Sequence, residues 1–256
     1  MIKLYRILLS QSLGESLVYR GTSILTAIFG IMFYLIALVT GTVYFSFSKS
    51  IFGWDFLNYL NLITTANLIS YLYQFLFVSG HEHLTEQILD GTLDYSLVRP
   101  VNSYYFHMIF RADFPSLIPV FVSGVIEALL LVKLGTSILS LISYILAILA
   151  GVIFVFAINQ IIVTISFWID GLSALAGVPE YIMDASAYPA SIYPRIIQNI
   201  FLWIFPSLTV TNLPANIIRG KYSTFSLIWL FFIDVLLIYI SILEWRQGLR
   251  HYASAD

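Results

Sequence analysis

The sequence predicts an all-α integral membrane protein with about six transmembrane helices, and three observations carry that reading. Of 256 residues, 59% are hydrophobic and only 10% are charged, for a mean hydropathy of +0.90, whereas a soluble domain carries roughly 25% charged residues. Windows empty of charge recur along the chain, each near the roughly 20 residues that take a helix across the hydrocarbon core with its backbone self-satisfied. Between them lie short polar passages, the most compact being EQILDGTLDYSLVRP at 86–100.

Residues 1–20 read as an interfacial elbow helix: Tyr5, Leu9, Leu13 and Leu17 recur every fourth position, while Lys3, Arg6, Ser10 and Gly14 turn away. A plain topogenic anchor is the alternative. The first span, 22–47, is expected to be an uncleaved helix rather than a signal peptide, because no small-residue cleavage site precedes the next loop. A loop holding Lys49, Gly53 and Asp55 leads to the second span, 56–78.

The connector at 79–113 divides into short pieces. Leu84 and Ile88 share one helix face with Leu89 beside them, and Glu82, Glu86 and Asp90 line another. Gly91 is placed to stop that helix in the left-handed conformation open to glycine. A second element starts at Thr92 and ends at Pro100, because Arg99 before the ring is pushed towards extended geometry. Asn102 or Ser103 then caps an aromatic helix.

A third span, 114–133, contains Glu127. The charge-free window 134–169 is about two spans long and is expected to turn in a tight hairpin at Asn159-Gln160, giving spans 138–158 and 161–187. The alternative is one long tilted helix followed by a kinked span at 196–218. In the region 188–220, Pro189, Pro194, Pro206 and Pro214 favour outer re-entrant half-helices, since a helix between Pro194 and Pro206 is only about 17 Å long. The last span, 225–243, carries Asp234, and a tail runs over 244–256. Lys3, Arg6, Arg20, Arg99, Arg111, Arg246 and Arg250 outnumber Lys49, Lys133, Arg195, Arg219 and Lys221, which places both termini and the connector in the cytoplasm.

A net charge of −2 and a pI near 6.0 provide no basic field for nucleic acid. With no cysteine, disulfides and thiolate metal sites are excluded. His81-Glu82-His83 lacks metal-site spacing, and no G-x-S-x-G elbow occurs. The nearest approach to a phosphate-binding loop, residues 215–222, has Ala215 for its first glycine and Tyr222 after Lys221. The expectation is therefore no catalytic residue, no metal and no cofactor in this chain.

Polar residues inside the spans are the candidate translocation pathway. Asn58, Asn61 and Thr65 form a stripe on the second span, which either lines a path or bonds to neighbouring helices. Asn159 joins them as a candidate lining residue. An acid at the bilayer centre costs about 2.5–3.5 kcal/mol, so Glu127 and Asp234 are either functional or protonated or paired structural acids; Glu127, a turn or two from Lys133, alternatively reaches the outer interface, whereas Asp234 sits near mid-span.

The passage EQILDGTLDYSLVRPVNSYYF, followed by YPASIYP and FPSLTVTNLPANIIRGK, resembles the permease subunits of ABC-type-2 transporters, in particular a bacterial branch whose ATPase is a separate chain. The likeness extends over essentially the whole chain and is most specific in the spacing of Leu89, Gly91, Leu93, Leu97, Arg99 and Pro100. It implies the ABC-2 exporter fold in the bacterial inner membrane, paired with a second permease and two nucleotide-binding subunits that hold ATP and Mg. It also implies that the connector acts as a coupling helix, with Leu84, Glu86, Ile88, Leu89, Asp90, Gly91, Leu93, Arg99 and Pro100 as coupling residues. The cargo expected is a hydrophobic or amphipathic compound. A proton-coupled secondary transporter using Glu127 or Asp234, or a membrane scaffold, is the competing reading.

Overall fold

The computed structural model describes residues 2–108, 110–169 and 178–252. Twelve α-helices are described: α1 (Ile2–Val18), α2 (Arg20–Phe47), α3 (Phe56–Tyr73), α4 (Ser79–Leu89), α5 (Asp94–Leu97), α6 (Ser103–Met108), α7 (Leu117–Lys133), α8 (Ile138–Ile165), α9 (Val178–Ser186), α10 (Arg195–Asn199), α11 (Ser207–Ile218) and α12 (Thr224–His251). Five helices are long and apolar enough to cross a membrane, or six if the bent pair Arg195–Ile204 and Ser207–Ile218 counts as one span. This is a multi-pass membrane architecture.

Helix starts follow from capping. Asp55 accepts the Asn58 backbone N–H at 2.9 Å to open α3, Ser137 does the same for Ser140 ahead of α8, and Ser223 for Phe225 ahead of α12. The helix that carries the second span does not end at residue 78. It passes through a π-turn at Gln74–Val78 and continues as α4, so Phe56–Leu89 is one helical run of 34 residues. That is about 51 Å at 1.5 Å per residue, longer than the roughly 30 Å that one crossing of the core needs. The last span likewise continues past 243, as α12, to His251.

The tight hairpin expected at Asn159-Gln160 does not form, because α8 runs unbroken through both residues. Gln160 is satisfied inside the bundle: its Oε1 lies 3.2 Å from His81 Nε2, and its Nε2 is 3.2 Å from Thr164 Oγ1. Buried polar groups with partners need no turn. The expected span 161–187 is thereby split, with residues 170–177 outside the described residues and α9 following them.

α3 and α8 are the centre of the bundle. α3 touches α2, α7, α8 and α11, while α8 touches α3, α11 and α12. Ala147, Ala150 and Gly151 on α8 are all buried, and a Cβ on Gly151 would stand 2.9 Å from Ile69 and 3.0 Å from Val210. Small residues are what let membrane helices approach this closely.

Parity fixes the return of the chain. The 51–54 hairpin marks one end of the bundle and the connector marks the other. α8 ends beside the connector, where Val163 packs with Leu84 and Leu93. α12 starts at the hairpin end and finishes with Trp245 against the connector. The chain between them therefore climbs back in pieces. Ser186 Oγ donates to Ser207 Oγ at 2.9 Å, Ser191 reaches the Phe52 carbonyl, and Arg219 donates to the Gly53 carbonyl at 2.7 Å. Phe205, pushed out of helical geometry to φ −121° and ψ 82° ahead of Pro206, ends the first half-helix, and the two halves meet at 87°. Pro194 precedes the first residue of α10, Pro206 that of α11, Pro189 precedes a 3-10 turn, and Pro214 lies buried inside α11.

Candidate functional site: a connector with a buried root and an exposed tip, beside an acidic cleft

The connector is rooted in the protein's own core. Leu84, Ile88 and Leu93 are buried together with Tyr104, Val163 and Trp245. The Tyr104 hydroxyl lies 2.7 Å from Ser241 Oγ, Trp245 Nε1 donates to Ser103 Oγ at 3.3 Å, and the Tyr252 hydroxyl accepts the Leu93 N–H at 2.9 Å. These contacts bind α4, α5 and α6 to the end of α12. Gly91, at φ +65°, closes α4 as expected, with the Thr92 N–H donating to the Gln87 carbonyl.

What remains outside is the tip. Glu86, Leu89, Asp90, Arg99 and Pro100 are exposed, and Val98 is 82% exposed. The nine expected coupling residues thus separate into root and tip, and Val98, which is not among them, is the most exposed apolar residue of the connector among the described side chains. An amphipathic period marks the root, but a single apolar residue between Leu97 and Arg99 gives no signal of its own.

A histidine pair stiffens the root. His81 is buried between the Tyr73 hydroxyl, 2.8 Å from Nδ1, and Gln160, and its ring stacks on Phe156. With Gln160 Oε1 as the acceptor, Nε2 carries the proton and Nδ1 receives the tyrosine hydroxyl. His107, buried in α6, lies 3.2 Å from Ser96 Oγ. Burial, with Arg99, His83 and His81 nearby, pushes its imidazole down to about 4. Its backbone carbonyl presses against Gly80, where an added Cβ would sit 2.5 Å from the oxygen.

The polar residues of the spans do not form one stripe. Asn58 spends its side chain on Asp55 at 2.8 Å as part of the cap. Asn61 donates to Glu127, and Thr65 lies 2.8 Å from the Tyr144 hydroxyl, both pairs buried. The structure joins these residues across helices rather than along a wetted wall. Asp234 is buried on α12, and neither carboxyl oxygen has a hydrogen-bond partner among the described residues.

Asn159, itself buried, lies on the wall of an open space. It lines a cleft of about 590 Å³ bounded by α2, the π-turn, α4, α8 and α9. Glu82, Asp113 and Glu180 reach this cleft from three separate segments, a convergence that no sequence spacing could reveal.

A family model described as ABC-2 family transporter protein matches residues 31–256. No curated protein shows significant similarity to the chain.

Proposed function

The chain belongs to the ABC-2 transporter family and is a permease component, and from that premise we propose that it is the membrane-spanning half of a bacterial exporter driven by separate ATPase chains. A second permease completes the pathway, and two nucleotide-binding subunits supply ATP and Mg from the cytoplasm. Both termini and the connector lie on the cytoplasmic side of the inner membrane in this reading.

One observation supports it above the others: the connector has a root buried against α8 and α12 and a tip whose Leu89, Asp90, Val98 and Pro100 are exposed. A loop serving topology alone has no need of a stiff root. A lever that receives a push at Leu89, Asp90, Val98 and Pro100 and delivers it to α12 needs both parts. The proposed cargo is a hydrophobic or amphipathic compound, taken up on the connector side, where the cleft lies.

Copurification tests the assignment. The chain, expressed with its neighbouring genes and isolated in mild detergent, is expected to bring down an ATPase, and the double reversal Glu86→Lys with Asp90→Lys is expected to keep the fold while losing transport-coupled hydrolysis. Full coupled hydrolysis and export in that variant would refute the lever.

A further inference from the structure

The cleft beside the connector deepens this reading, on which the inference rests. We propose that it is the binding site for an organic cation with an apolar body, such as a protonated amine on an aromatic skeleton.

Its size, about 590 Å³, falls among pockets that take drug-sized ligands, roughly 300–1,000 Å³. Three carboxyl groups line it: Glu82 on α4, Asp113 at the end of the connector and Glu180 on α9. Among the described residues none of them pairs with lysine or arginine, since the ion pairs there use Glu15 and Glu86. Asp113 accepts the Ser116 hydroxyl, which leaves its charge uncompensated.

The acceptors are also unspent. Glu180 Oε2 is enclosed and has no hydrogen-bond partner among the described residues. Asn159, only 5% exposed, commits its amide nitrogen to the Val155 carbonyl and leaves Oδ1 without a donor. The enclosed Glu180 oxygen is costly until a donor fills the space. Val78, Ile162 and Val163 supply an apolar wall, against which an aromatic or alicyclic body loses water. No three acid or histidine groups among the described residues converge tightly enough to hold a metal ion. The acids are spread around the space, which suits a charge carried on a bulky body rather than a bare cation.

Equilibrium binding of tetraphenylphosphonium to the purified full chain in detergent, with tetraphenylborate as the anion of the same shape, tests the charge directly. The cation is expected to bind saturably and the anion not. Glu82→Gln and Glu180→Gln are each expected to weaken the cation about tenfold with little change in melting temperature, and Glu180→Asp to recover part of the loss. Equal affinity for the two ions overturns the site, and this comparison stands on the unaltered protein even where a variant fails to fold. Unchanged cation binding in both neutral variants overturns it as well. A chain that captures an ATPase but shows no charge preference loses this site and keeps the exporter assignment; one that binds the cation selectively and never associates with an ATPase keeps the site and loses that assignment.

Discussion

The backbone N–H of Asp113 donates to the carbonyl of Phe75 at 2.9 Å, across 38 positions of chain. Phe75 lies in the π-turn of the second span, where the widened helix leaves a carbonyl available. The connector thus returns to the helix it left and closes a loop around its own root.

That closure makes Gly80 sensitive. Any side chain there meets the His107 carbonyl, so Gly80→Val is expected to cost about 1–3 kcal/mol. A fall in melting temperature, together with earlier protease cleavage between residues 90 and 112, checks it.

Root and tip respond differently to the same change. Leu84→Asp buries a charge in the cluster around Trp245 and is expected to prevent folding, at a cost of several kcal/mol. Val98→Asp sits in the open and is expected to move stability by less than about 0.5 kcal/mol while reducing ATPase capture. Size-exclusion profiles and copurified ATPase separate the two effects.

His107 sets a pH limit on the connector. An unfolded chain titrates it near 6.5 and the folded chain near 4, because burial opposes the charge. Between those values the unfolded state binds more protons, so the contribution is full above 6.5 and is lost as pH falls towards 4. The loss is on the order of 3 kcal/mol. Melting temperatures at pH 7.5 and 5, compared with those of His107→Gln, are expected to show a smaller drop in the variant.

Asn61 and Glu127 form a pair across α3 and α7. A double-mutant cycle with Asn61→Leu and Glu127→Leu is expected to yield a coupling of about 0.6–1.7 kcal/mol, the range for such bonds in lipid. Additive single effects would remove the bond from the account.

Much of the bundle was legible because local signals decide it. Charge-free windows locate the long helices, Gly91 marks a stop, and Leu84 and Ile88 share the face that is buried. Asn159-Gln160 misled for a physical reason: the polar pair looks like a turn until His81, 79 residues earlier in sequence, is found bonded to Gln160. The cleft was illegible throughout. Glu82, Asp113 and Glu180 share no spacing, and only the return of the chain through α9 sets the third beside the first two.

At the hairpin end, Arg219 lies over the Trp54 ring at 3.7 Å and holds the Gly53 carbonyl. Arg219→Lys keeps the charge but loses the planar stack, and is expected to cost about 1 kcal/mol, read as a lower melting temperature.

Glu15 of α1 forms an ion pair with Arg111 at 3.0 Å, and Ser12 accepts the Ala112 N–H at 3.2 Å. Leu13 and Leu17 meanwhile stay exposed, turned away from Ser12 and Glu15 on that helix. If the connector is the lever proposed above, α1 travels with it, and membrane tension and lipid packing then become part of the load on the ATPase.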